Sequence, residues 1–86
     1  MPELCRFYGI IIRMFWRDHP PPHFHAIYGN YEAQIEILTS EVIGGVLPLG
    51  AHSLVSQWVN LHREELLAAW ERARALQPIG KIDPLP

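Results

Sequence analysis

Nine consecutive residues, Arg17 to His25, hold three of the five histidines in this sequence. They include three histidines, one aspartate and one arginine, interrupted by the three prolines Pro20–Pro22. Imidazole and carboxylate groups at close range can bind a metal ion or act as general acid and base. Because proline fixes φ and lacks an amide hydrogen, we expect this segment to be extended and exposed rather than helical.

The histidines of this segment lead into a predicted β-hairpin. Strands over His23–Tyr28 and Tyr31–Leu38 flank Gly29-Asn30, a two-residue turn of type I′ or II′ chemistry that fixes the register. The predicted pairs on one face are Tyr28–Tyr31, Ala26–Ala33 and Phe24–Ile35; those on the other are Ile27–Glu32, His25–Gln34 and His23–Glu36. One face is therefore apolar, and the other carries both histidines together with acids and amides.

This polar face predicts a metal site made of His23, His25 and Glu36. The two histidines lie about 6.6 Å apart along the strand and can converge on one ion, which suits zinc, manganese or iron(II). In a straight polyproline segment His19 lies roughly 12 Å before His23, so it can join only if the chain folds back. Asp18 is better placed to orient a histidine or to clamp Arg17. The competing interpretation is a hydrated polar face without an ion.

Acid–base chemistry without a metal stays open as a second interpretation. Asp18 with His19, or Glu36 with His23, is a carboxylate–histidine pair that titrates near neutrality. Arg17, with Arg13, can hold a phosphate group, as in a metal-free ribonuclease site. The candidate catalytic residues are His19, His23, His25, Asp18 and Arg17. No nucleophile motif or phosphate-binding loop is present, and the single Cys5 is best explained as a small buried hydrophobe.

The elements around this segment predict a small α+β domain, with an antiparallel sheet of four or five strands packed on a C-terminal helix or broken helix pair. A first hairpin runs from Leu4–Phe7 through a turn at Tyr8-Gly9 into Ile10–Arg17. Glu41–Leu47 pairs third, with a bulge at Gly44-Gly45. The predicted buried face of the second strand is Ile10, Ile12, Met14 and Trp16.

The helical half covers residues 50–77 and shows apolar residues at steps of three and four. A straight helix of that length overhangs so small a domain, so we expect a break near Asn60 to His62. Residues 78–86 form an extended tail, laid along the sheet or a partner. The predicted buried stripe is Leu54, Val55, Trp58, Val59, His62, Leu66, Trp70 and Ala73.

Composition limits the function classes. The 86 residues make one domain, divided into a β half over 4–47, the helical half and the tail. Three tryptophans are hard to bury in such a chain, which favours a homo-oligomer. A net charge of −2 disfavours a broad nucleic-acid surface, although a local basic patch stays open. Without a visible signal peptide or membrane-length apolar run, we expect a cytoplasmic protein that makes no membrane contact.

The sequence resembles a short prokaryotic family catalogued as domain of unknown function 4160. The resemblance covers nearly the whole chain, and the Asp-His-Pro-Pro-His-Phe-His pattern is its most specific part. Its other matching segments are Phe7–Ile10, Tyr28-Gly29, Glu32-Ala33, Trp58, His62–Leu66 and Trp70.

The resemblance implies a protein partner more firmly than it implies chemistry. Members tend to be encoded beside another short uncharacterised family, which suggests one component of a two-protein module of toxin–antitoxin type. The alternative is a hydrolase or nuclease, dependent on a metal or on histidine, that uses the segment from Asp18 to His25.

Overall fold

The computed structural model describes residues 2–86 and shows an α+β domain with five strands and one helix. The strands are antiparallel and follow one another through the sheet in chain order. The helix, α1, follows the last strand. The elements are β1 Glu3–Phe7, β2 Ile10–Arg13, β3 His23–Tyr28, β4 Tyr31–Glu36, β5 Val42–Gly45 and α1 Leu49–Arg74.

The β3–β4 hairpin has the register that its turn predicts. All six expected pairs are present, from Tyr28 opposite Tyr31 to His23 opposite Glu36. Gly29 has φ +58°, a left-handed conformation that glycine adopts without steric cost. The hairpin therefore presents both histidines on the same face of β3.

The second strand is shorter than predicted and ends at Arg13. Ile10, Ile12 and Met14 are fully buried, as expected, but the placement of Trp16 on that face was wrong, because its side chain is 45% exposed. The chain turns at Trp16 and Arg17, where Arg17 has φ +58°. This turn carries the following residue, Asp18, back toward β3.

The predicted break in the helix is confirmed. His62, with φ −127° and ψ 21°, leaves the helical conformation inside α1. Its ring is only partly buried, and Nδ1 lies 2.7 Å from the Glu65 carboxylate. The buried face of α1 differs from the predicted stripe in two further ways. It includes Ala51 and Ala69, and Leu54 is only partly buried. The buried helix residues are Ala51, Val55, Trp58, Val59, Leu66, Ala69, Trp70 and Ala73.

The C-terminal tail lies along the first strand. Ile79 and Ile82 are buried in the core, and the Ile82 N–H donates to the Leu4 carbonyl oxygen at 3.2 Å. Trp58 donates from Nε1 to the Asp83 carbonyl oxygen at 2.8 Å. Trp58 and Trp70 are thus buried within one chain, and neither requires a subunit interface.

The sequence makes two further predictions, one for Cys5 and one for contact with a membrane. Cys5 is buried, as predicted, and burial raises the pKa of its thiol to about 12. Within residues 2–86, no helix combines the length and the apolarity needed to cross a membrane.

Candidate functional site

Asp18, His23 and His25 form a compact cluster at the start of β3. The Oδ2 atom of Asp18 lies 3.0 Å from Nε2 of His23 and 3.2 Å from Nε2 of His25. One ligand atom from each of the three residues lies within 4.8 Å of the others. Ligand atoms about 2.0–2.2 Å from a shared divalent ion are separated by roughly 2.9–3.5 Å, a range that includes the two distances from Asp18 to the histidines.

The polyproline segment bends around this cluster. The Pro20–Pro21 peptide bond is cis, and the Pro21 carbonyl oxygen lies 2.8 Å from Nδ1 of His23. The Pro22 carbonyl oxygen accepts the Ile37 N–H, which ties the segment to the end of β4. The segment therefore folds back over β3 and is not straight, whereas Arg17 and the residues from His19 to Pro21 are exposed, as predicted.

Backbone and side-chain acceptors orient the two imidazole rings. Because a carbonyl oxygen can only accept, Nδ1 of His23 carries the hydrogen that it shares with Pro21. Nδ1 of His25 lies 3.2 Å from Oε2 of Glu32, an acceptor of the same kind. Oxygen acceptors at Nδ1 leave the Nε2 lone pairs for a metal ion, as in carboxylate–histidine–metal arrangements.

The Nε2 atoms face a carboxylate without enough protons to satisfy the contacts. Nε2 of His23 is fully buried and, among residues 2–86, has no hydrogen-bond partner, although Asp18 is at 3.0 Å. A neutral imidazole has one N–H, which His23 uses at Nδ1 toward Pro21, whereas His25 can direct its N–H to Glu32 or to Asp18. Placing a proton on all four ring nitrogens at once would create two imidazolium cations with ring centroids 5.4 Å apart. One divalent cation satisfies both nitrogens and the carboxylate together.

The electrostatic environment keeps Asp18 in its anionic form. Burial raises the pKa of this carboxyl, but the His25 hydrogen bond, the charge of His23 and the His19 backbone N–H outweigh it. The pKa therefore lies below its ordinary value of 3.8. A carboxylate that stays ionised is a suitable ligand for a cation.

Aromatic side chains enclose the cluster. The Phe15 ring meets His25 edge-on with centroids 4.4 Å apart, and the Trp70 ring lies 5.3 Å from His23. His23 is fully buried and His25 nearly so. The structure therefore contradicts the interpretation of these histidines as a hydrated polar face, because both are buried and Phe15, Pro21 and Trp70 lie against them.

His19 lies closer to the cluster than the sequence predicts, and the Glu36 carboxylate lies outside it. His19 is not held away: its ring centroid is 5.5 Å from that of His23, and its Nε2 is 4.0 Å from Asp18. Its side chain is 75% exposed, at the edge of the cluster. Glu36 lies opposite His23, but its carboxylate accepts the Thr39 hydroxyl at 3.1 Å. Asp18 takes the place in the cluster that was predicted for Glu36.

The arginines flank the cluster. Arg17 is exposed directly before Asp18, and no ion pair between the two is found among the described residues. Arg13 lies opposite His25 on β2, and its Nε is buried without a hydrogen-bond partner within residues 2–86. Arg17 therefore does not serve as the predicted clamp partner of Asp18.

Glu32 and Asp18 differ in how far the sequence alone could have placed them beside the histidines. Glu32 is a diagonal neighbour of His25 in the predicted hairpin, and diagonal pairs lie within reach of long side chains, so the register alone could identify it. The position of Asp18 beside the histidines depends on a left-handed conformation at Arg17. Residues other than glycine rarely adopt this conformation, and no pattern in the sequence indicates it here.

The comparisons with known proteins give a family and no activity. No curated protein and no solved structure matches the chain. A family model described as "Domain of unknown function (DUF4160)" matches residues 9–71, which is more than half of the sequence. The match includes all three cluster residues together with β2 to β5. The chain therefore belongs to the DUF4160 family, as its sequence pattern suggests.

Proposed function

We propose that this protein binds one divalent metal ion through Asp18, His23 and His25 and uses it in a hydrolytic reaction. The observation that carries the proposal is the orientation of the histidines. Both Nδ1 atoms face oxygen acceptors, and both Nε2 atoms converge on one carboxylate. Two imidazoles and one carboxylate suit zinc, manganese or iron(II).

The small number of protein ligands supports the hydrolytic use. Three protein ligands would leave one coordination position open, as in catalytic metal sites, and zinc held there would supply a water nucleophile with a pKa of about 7. His19, exposed beside Asp18, would be the group at the edge of the site that exchanges a proton during hydrolysis. The buried side of the site, formed by His23 and Trp70, excludes solvent.

The test is metal content and affinity of the purified chain. We expect about one zinc, manganese or iron ion per chain, and Asp18→Asn or His23→Ala should reduce the affinity at least about 100-fold. Glu36→Gln is the matched control, because Glu36 was the ligand predicted from sequence and lies outside the cluster. Equal metal affinity in wild-type and Asp18→Asn protein contradicts the proposal.

A second candidate function is partner binding in a two-protein module, and the edge strand β5 favours it. Val42, Ile43 and Val46 are each about 40% exposed or more, and neither a charged residue nor a proline interrupts the chain from 42 to 47. Natural edge strands are usually protected by charge or proline, and an unprotected edge can pair with a strand of another chain. The occupant we propose is a strand of the small protein encoded beside members of this family.

Co-expression with that neighbouring protein tests the second candidate. We expect a stable complex that Ile43→Lys weakens, because a buried charge opposes strand pairing. Leu61→Lys is the control, since Leu61 is also exposed but lies on α1. Independent migration of the two wild-type chains on a sizing column contradicts the partner proposal and leaves the metal proposal unaffected.

A further inference from the structure

Arg13 is the charged side chain near the cluster that the metal site does not use. It lies directly opposite His25 in the β2–β3 pair, so the two side chains share a face of the sheet with Cβ atoms about 4.5–5.5 Å apart. Its Nε–H is buried, and residues 2–86 offer it no hydrogen-bond partner. A buried unsatisfied donor on an arginine is costly and indicates a missing acceptor.

The acids around Arg13 are engaged by other groups. Glu3, opposite Arg13 on β1, holds Arg6 with both carboxylate oxygens, at 2.7 and 2.9 Å. Glu32 contacts His25, and Asp18 contacts both histidines. Within the described part of the chain, no carboxylate lies within ion-pair distance of Arg13 or Arg17. The guanidinium groups of Arg13 and Arg17 therefore have no carboxylate partner among the described residues and are available to an anionic ligand.

The charge around a loaded site selects the kind of ligand. The two carboxylates of Asp18 and Glu32 balance the charge of one divalent ion. With the ion balanced in this way, Arg13 and the exposed Arg17 give the surroundings of the site two uncompensated positive charges, although the net charge of the whole chain is −2. A dianion fits this environment better than a monoanionic carboxylate. Arginine with a divalent ion is the usual combination that binds phosphoryl oxygens.

The access to the site limits the ligand's shape. His23 is fully buried, His25 nearly so, and the Asp18 side chain is 18% exposed, whereas that of His19 at the edge is 75% exposed. An anion therefore has to approach from the His19 edge, which favours a terminal phosphate group over an internal phosphodiester with bulky groups on both sides.

We propose that the ligand of this site is a terminal phosphoryl group, with one oxygen on the metal ion and others hydrogen-bonded by Arg13 and Arg17. The proposal rests on the metal centre proposed above. It extends that centre to a substrate class, a phosphate monoester.

The experiment titrates inorganic phosphate into cobalt(II)-loaded protein and follows the visible absorption of the ion, with sulfate and acetate as separate titrations. We expect phosphate to change the spectrum and to bind at least about tenfold more tightly than either other anion. Arg13→Gln should weaken phosphate binding about tenfold or more with unchanged cobalt affinity, and Arg13→Lys should have an intermediate effect. Arg74→Gln is the control, because Arg74 lies in the last turn of α1 beside Glu71.

Each other outcome overturns a defined part of the account. Cobalt binding without a phosphate effect, or with the same phosphate affinity in Arg13→Gln, overturns the phosphoryl proposal and leaves the metal centre intact. Equal binding of sulfate shows general anion binding and overturns the assignment to a phosphoryl group. Failure of the folded wild-type protein to bind cobalt overturns both proposals.

Discussion

At the scale of single residues, the site depends on which ring nitrogen of each histidine is free. Nδ1 of His23 is fixed by a backbone carbonyl oxygen, and Nδ1 of His25 by the Glu32 side chain. A backbone acceptor cannot be removed by a substitution at its own position, but a side-chain acceptor can. Substituting Glu32 therefore tests whether the orientation of the His25 ring matters, without changing any of the three side chains proposed to bind the metal ion.

Glu32→Ala should lower metal affinity by about 10- to 100-fold, because His25 loses the acceptor that fixes its ring and increases its basicity. Competition with a chromophoric chelator measures this change. Glu36→Ala, on the same strand and opposite His23, should bind metal like the wild type. A wild-type affinity in Glu32→Ala would show that the contact between Glu32 and His25 has no part in metal binding.

At the scale of secondary-structure elements, close backbone packing holds β5 on the sheet. Gly45 has φ +74°, and a Cβ atom there would lie 2.1 Å from the Glu32 carbonyl oxygen. Gly50, at the start of α1, has open space around its Cα. The two glycines therefore differ in whether they tolerate a side chain.

Gly45→Ala should lower the free energy of unfolding by about 3 kcal/mol or more, since the added methyl group meets backbone that cannot move cheaply. Gly50→Ala should change it by no more than about 1 kcal/mol, in the stabilising direction, because alanine is the better helix former. Urea denaturation of both variants measures the difference. Similar stabilities for the two variants would contradict the close approach of β4 and β5.

The secondary-structure elements also differ in how far the sequence predicts them. The β3–β4 register follows from a two-residue turn, and the break at His62 follows from a helix too long for the domain. The path of residues 14–22 does not follow from any local pattern. It depends on a left-handed Arg17 and on contacts between distant residues, such as Asp18 with His25. The structure therefore brings the two predicted histidines together, but with Asp18 beside them in place of Glu36.

At the scale of the whole molecule, the two ends of the chain stabilise each other. The tail places Ile79 and Ile82 in the core beside β1, and the Tyr8 hydroxyl donates to the Pro86 carbonyl oxygen at 2.6 Å. A domain of this size has little core to spare, so each buried side chain of the tail contributes a large share of its stability.

Ile82→Ala should cost about 2–4 kcal/mol of unfolding free energy, because it leaves a cavity between the tail and the sheet. Leu76→Ala, at an exposed position just after α1, should change stability by less than about 0.5 kcal/mol. Thermal or urea denaturation separates the two. Equal, small effects would mean that the tail does not pack as the structure shows.

The central claim is that Asp18, His23 and His25 bind one metal ion, and locating the ion in crystals tests it most directly. An anomalous difference map at the zinc edge, from crystals grown with zinc, should show one peak about 2.0–2.2 Å from Nε2 of both histidines and from the Asp18 carboxylate. A map with no peak among these three side chains, or with the ion held by Glu36 in place of Asp18, would contradict the account.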